Sequence, residues 1–147
     1  MAIDLWGFKD VKDLEKNTSN YPETILKEQI SAIGDKTGYV IYGKPTYMRV
    51  KNIELDYKAA TIFNLIVPVL DNYSKTILIM YSNFEDNYPV AISVGKSFAE
   101  DMDDFNPQYE CKNLDEFMVA MKEILSSDGI MDIVKTLYSK ANMLGTD

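Results

Sequence analysis

The order of hydrophobic periodicities along the chain predicts an α+β fold, an antiparallel sheet of about five strands with an N-terminal helix and a C-terminal helical hairpin packed on it. Three observations carry this reading. Apolar residues recur at helical spacing before residue 35, at a period of two between residues 39 and 94, and at helical spacing again from residue 114 to residue 141. Turn-forming clusters at 71–74 and 83–87 are short enough to join neighbouring antiparallel strands. The prolines and glycines are scattered and no repeat or low-complexity tract divides the chain, so one domain over residues 1–147 is expected.

The first helix is expected to begin at Asn20-Tyr21-Pro22-Glu23, which resembles a capping box with proline in the opening turn. Its apolar stripe is Ile25, Leu26, Ile30 and Ile33, with Gln29 among them, and it ends at Gly34. Residues 39–42 then read as a strand that runs into the turn signal Gly43-Lys44-Pro45. Two alternating runs follow at 47–50 and 53–57, the second placing Ile53, Leu55 and Tyr57 opposite Glu54, Asp56 and Lys58. Runs at 61–67, 75–82 and 88–94 complete a meander, with a helix from 59 up to Pro68 as the alternative for the first of these. Ile77, Leu78, Ile79 and Met80 are apolar on both faces, which predicts a central strand covered on each side. Pro68 and Pro89 cannot donate to a ladder and belong at strand ends, bulges or an edge.

In the last third, Asn113 and Glu116 have the spacing of a capping box ahead of a stripe containing Leu114, Phe117, Met121 and Ile124. Ser126-Ser127-Asp128-Gly129 breaks that helix. A second stripe, built on Ile130, Ile133, Val134, Leu137 and Ala141, has Asp132 early and Lys140 late, as the helix dipole prefers. So short a break predicts a helical hairpin.

Composition narrows the chemistry. There is no histidine, and Cys111 is the single cysteine, so the common imidazole-based and paired-thiol sites have no residues to be built from. The absence of an apolar run of signal-peptide length near the start and the single thiol lead to an expected cytoplasmic location. The longest apolar stretch, 59–70, is too short to span a bilayer, so no membrane association is expected. The net charge of −8 is unevenly held: residues 1–58 carry nine acids and nine bases, whereas residues 59–147 carry fourteen acids and six bases. Such a field repels nucleic-acid backbones and attracts a basic protein partner.

The sharpest local feature is the acidic segment Glu100-Asp101-Met102-Asp103-Asp104, with Glu85, Asp86 and Glu110 as further acids that the fold could bring near it. Such a cluster imitates the charge of a nucleic acid or complements a basic protein surface; the plainer reading is a solvated loop. A calcium loop from Asp101, Asp103, Asp104 and Asn106 fails the alternating-ligand rule before a glycine, so no metal and no cofactor is expected. Asp56-Tyr57-Lys58, with Glu28 and Asp35 upstream, resembles an acidic-x-Lys nuclease signature, but Asp10-Val11-Lys12 fits as well and no basic track accompanies either. Seven of ten tyrosines fall in or beside the expected sheet, where they serve as core or as interface area. Arg49, between Met48 and Val50, is expected to point outward, and Cys111 to be an inert, partly buried thiol.

These readings converge on a non-enzymatic protein-binding module, an inhibitor or immunity-type protein that neutralises a basic partner such as a nuclease. Its expected contact residues are Glu85, Asp86, Tyr88, Glu100, Asp101, Asp103, Asp104 and Tyr109. Two alternatives stand beside it. One is a Mg²⁺-dependent phosphodiesterase using Asp56 and Lys58; the other is a structural subunit that forms a homodimer through a free strand edge.

Overall fold

The computed structural model describes residues 3–51, 56–99 and 105–145. Along the chain these form α1 (Val11–Leu14), α2 (Pro22–Lys36), β1 (Tyr42–Arg49), β2 (Ala59–Val67), a 3-10 turn (Pro68–Leu70), β3 (Tyr73–Ser82), β4 (Val90–Val94), β5 (Tyr109–Cys111), α3 (Leu114–Leu125) and α4 (Asp128–Leu144). The strands make one antiparallel sheet in the order β1-β2-β3-β4-β5, so the expected α+β class and five-stranded meander are present. Among the described residues no helix is long and apolar enough to cross a membrane.

Several elements differ from expectation for identifiable reasons. Gly43-Lys44-Pro45 is no turn but lies inside β1, paired with Leu65, Asn64 and Phe63. An edge strand tolerates proline because one side of it has no ladder to complete. The helical stop places Tyr39 in a turn at φ 65°, and the strand begins only at Tyr42. Residues 53–55 lie outside the described residues, while Asp56 and Tyr57 approach β2 without regular structure. Residues 59–67 are strand, and Pro68 opens the 3-10 turn. Strand β4 starts at Val90, directly after Pro89, rather than at Tyr88. Helix α2 begins with Pro22 at its first turn and Tyr21 at the N-cap without a side-chain bond, so Asn20 does not cap it. The Asn113 cap is formed: its side chain accepts from Glu116 N–H at 2.9 Å, and Glu116 Oε1 accepts from Lys112 N–H at 3.2 Å.

The two faces of the sheet are covered differently. On one face α2, α3 and α4 enclose a core that includes Leu26, Ile30, Phe63, Leu65, Ile92, Phe117 and Ile124. A bulge in β3 shapes it: the pairing steps from Phe63↔Leu78 to Asn64↔Thr76, leaving Ile77 as an extra residue. Ile77 and Leu78 therefore both serve the helical core, while Ile79 and Tyr81 face the other way. This is how four successive apolar residues find burial. Helix α2 sits so close to β1 that a Cβ on Gly43 would lie 2.1 Å from the Ile30 carbonyl oxygen, so only glycine fits there. On the second face a smaller cluster, Val50, Tyr57, Ala60, Ile79, Tyr81, Ala91 and Ala99, is covered by irregular chain bearing Phe98 and Phe105.

Candidate protein-binding surface

The second face is organised around Tyr81, which β3 delivers at its last turn of alternation. Its ring stacks on Phe98 with centroids 6.1 Å apart and meets Phe105 edge-on at 4.9 Å. Its hydroxyl oxygen accepts the Ala99 N–H at 3.0 Å, which supplies a partner to the backbone donor of a residue that is only 3% exposed. Burial pushes the Tyr81 phenol above its ordinary value, against the opposing effect of the Ala99 bond. Tyr57 packs beside Phe105 at 5.7 Å and donates to Glu110 Oε1 at 3.4 Å. Its own phenol is pushed up to about 12, first by burial and then by the neighbouring Glu110 charge.

The segment that leaves β4 and returns as β5 is stapled across its base. Gln108 accepts Val94 N–H through Oε1 and donates to the Val94 carbonyl through Nε2, both at 2.9 Å, so a side chain extends the ladder where β5 has not yet begun. One step further out, Lys96 Nζ donates to the Asn106 carbonyl at 2.6 Å. Ala99 and Phe105, the residues flanking the acidic run, are both held at Tyr81. Glu100, Asp101, Asp103 and Asp104 themselves lie outside the described residues.

The β3–β4 connection leaves the opposite end of the sheet, directly after Ser82, and Tyr81, which holds Ala99 and Phe105, lies next to that end. Asn83 Oδ1 accepts from Glu85 N–H at 3.2 Å and from Asp86 N–H at 2.7 Å, an Asx turn that fixes this corner locally. Glu85 and Asp86 are exposed. Between Asn83 and Glu85 the turn presents Phe84 with 67% of its surface in solvent, an aromatic ring followed by two carboxylates. Sequence reasoning passed over Phe84; the available signal was an aromatic residue inside an otherwise polar turn.

The two tyrosines expected to contribute contacts are differently placed. The Tyr88 ring meets Phe117 of α3 at 6.2 Å, and its hydroxyl donates to the Asn20 carbonyl at 3.4 Å, linking the β3–β4 connection to the start of α2. Burial, then Glu23, raises its phenol. Tyr109 is half-buried against the helical core. Both rings thus serve the helical face as well as whatever they touch outside.

The carboxylates and lysine of the nuclease-like pattern are not gathered. Asp56 and Lys58 flank Tyr57 on the second face, whereas Glu28 and Asp35 ride on α2, which covers the opposite face. Asp35 instead accepts a short hydrogen bond from the Tyr39 hydroxyl, which raises that phenol. Among the described residues no three acidic or thiol side chains are grouped to hold a metal ion. Arg49 is exposed. Cys111 is 2% exposed, and burial, followed by Glu116 and Glu110, pushes its thiol up to about 11, so it is protonated and shielded at neutral pH. Comparison with protein-family models, curated proteins and solved structures finds no match to this chain.

Proposed function

We propose that this chain acts stoichiometrically, as a protein-binding module that occupies a basic partner through the end of the sheet that carries the β3–β4 turn, toward which the β4–β5 segment folds back at Tyr81. The observation that carries the reading is the exposed Phe84 set directly before Glu85 and Asp86, in a turn whose backbone is ordered by Asn83. An aromatic ring offers area that a partner pocket desolvates, and the surrounding carboxylates orient the approach and raise the association rate. The flanks of the acidic run support the same reading, because Ala99 and Phe105 are anchored to the strand that leads into this turn. Glu100, Asp101, Asp103 and Asp104 enter the proposal as long-range attraction, and Tyr88 and Tyr109 as the rigid base of the surface. A partner of this kind, an inhibited nuclease or another cationic protein, presents lysines and arginines around an apolar hollow.

Capture from cells tests this. The full chain is immobilised beside the variant Phe84→Ser/Glu85→Gln/Asp86→Asn, and bound proteins are eluted with a salt gradient. A basic protein retained near one-to-one on the first, released by salt and missing from the second, is the expected result. The same proteins on both supports would contradict it.

A further inference from the structure

Two apolar features of this chain lie outside the surface just described, and each lacks what the other offers. The first is the segment before α2. Ile3, Leu5 and Trp6 are 83%, 87% and 77% exposed, far above what single surface residues in a folded chain require. The segment is nevertheless ordered within itself. Trp6 N–H donates to Asp4 Oδ1 at 3.0 Å, the Trp6 and Phe8 rings lie 5.8 Å apart, and Lys9 N–H donates to Asp13 Oδ2 at 2.8 Å. A segment held in shape while its tryptophan faces water loses little freedom when a surface closes over it.

The second feature is a groove between α2 and the α3–α4 pair. Two adjoining hollows of about 540 Å³ and 390 Å³ share Gln29 and Leu125; the floor is sheet, at Phe63, Leu65 and Ile77. Its outer walls carry Met118 at 50% and Met131 at 42% exposure, flexible side chains that adapt to an incoming ring. In a chain of net charge −8, the charged side chains that line these hollows among the described residues are Lys122 and Lys36. The N-terminal segment sets Asp4 between Ile3 and Leu5, an acid among apolar side chains that complements this rim.

We infer that the groove receives the N-terminal segment of a second copy of this chain, with Trp6 as its anchor, so that two molecules exchange arms reciprocally. The reciprocity follows from one arm and one groove per chain, an arrangement that closes with two-fold symmetry. The area is adequate. Trp6 buries about 150–250 Å², and with the exposed area of Ile3 and Leu5, doubled by symmetry and matched on the groove, the total falls within the roughly 1,200–2,000 Å² of specific interfaces. The free edge of β1 is the poorer route to a dimer, since Pro45 removes a donor from the middle of that strand.

Trp6 is the only tryptophan, so its fluorescence reports the arm alone. Light scattering and Trp emission are recorded on the full chain over a wide concentration series, together with two exposed-site variants, Trp6→Ser and the double change Met118→Lys/Met131→Lys. The expected result is a doubling of mass with a shift of emission to shorter wavelength over the same concentrations. Either variant alone stays monomeric. An equimolar mixture of the two forms a heterodimer, because one intact arm and one intact groove remain. A monomeric mass at every concentration overturns the proposal, whether Trp6 stays solvent-exposed or is shielded throughout by its own groove. A doubling that survives Trp6→Ser, or a mixture that stays monomeric although each variant keeps native circular dichroism, overturns it equally.

Discussion

The two faces of the sheet reach similar burial by different means. On the helical face, three helices with apolar stripes close over the sheet, and Phe117, Leu26 and Ile92 are fully buried in contact with residues distant in sequence. On the second face, a few aromatic rings and one side-chain-to-backbone hydrogen bond hold irregular chain against Tyr81. Regular elements satisfy their own backbone groups, so apolar contact alone decides where they sit; irregular chain must be satisfied residue by residue, by Gln108, Lys96 and the Tyr81 hydroxyl. The helical face is therefore the unit of global stability. The second face holds a surface that opens more readily, and the turn bearing Glu85 and Asp86 follows directly on the strand that carries it, whereas Tyr88 and Tyr109 pack on the helical core.

The largest expected effect comes from breaking the helical face. Phe117→Ala removes a ring with no exposed surface, and the cavity left among Tyr88 and the sheet should cost about 3–5 kcal/mol. The urea midpoint of the whole molecule should fall with the slope unchanged; a loss under about 1 kcal/mol would show that this core is loosely packed. A smaller and local effect is expected on the second face. Tyr81→Phe keeps the ring but takes away the acceptor of the Ala99 N–H, for a cost of roughly 1–2 kcal/mol. The Ala99 amide should exchange with solvent much faster while amides in β2 and β3 hardly change. Faster exchange throughout the sheet would mean that the two faces unfold as one.

Alkaline titration gives the smallest effect and separates the faces by pH. Cys111 on the helical side and Tyr57 on the second side both have folded values above their ordinary 9.0 and 10.0, at about 11 and about 12. Raised values favour the neutral form in the native state. Each contribution is therefore whole below the unfolded value and is lost as pH climbs through the folded one, over 9 to 11 for Cys111 and 10 to 12 for Tyr57. Cys111→Ala should flatten the lower part of the decline in stability, and Tyr57→Phe the upper part. Denaturant midpoints across this range check both, and unchanged slopes in either variant would contradict the assignment.

How much of this was legible in the sequence follows the same division. Elements defined by their own periodicity, α2, β3, α3 and α4, were readable, as was the Asn113 cap, because local spacing decides them. Ile77 to Met80 announced a strand covered on both faces, but not the bulge that turns Ile77 and Leu78 to the same side, since pairing register is a property of two strands. Gly43-Lys44-Pro45 misled for a tertiary reason: glycine is there to admit the Ile30 carbonyl and proline because the strand is an edge. Strand β5 is three residues long and exists by pairing with β4, so no pattern marks it. At the candidate site, the acids Glu85 and Asp86 were visible as charge, whereas the exposure of Phe84 and the anchoring of Ala99 and Phe105 at Tyr81 depend on contacts that only folding creates.

The most direct measurement is amide exchange on the full chain with and without its captured partner. Binding through the proposed surface predicts slowed exchange at Glu85, Asp86 and Ala99, with the amides of α2, α3 and α4 unchanged. Protection confined to those helices, or none at the β3–β4 turn, would contradict the account.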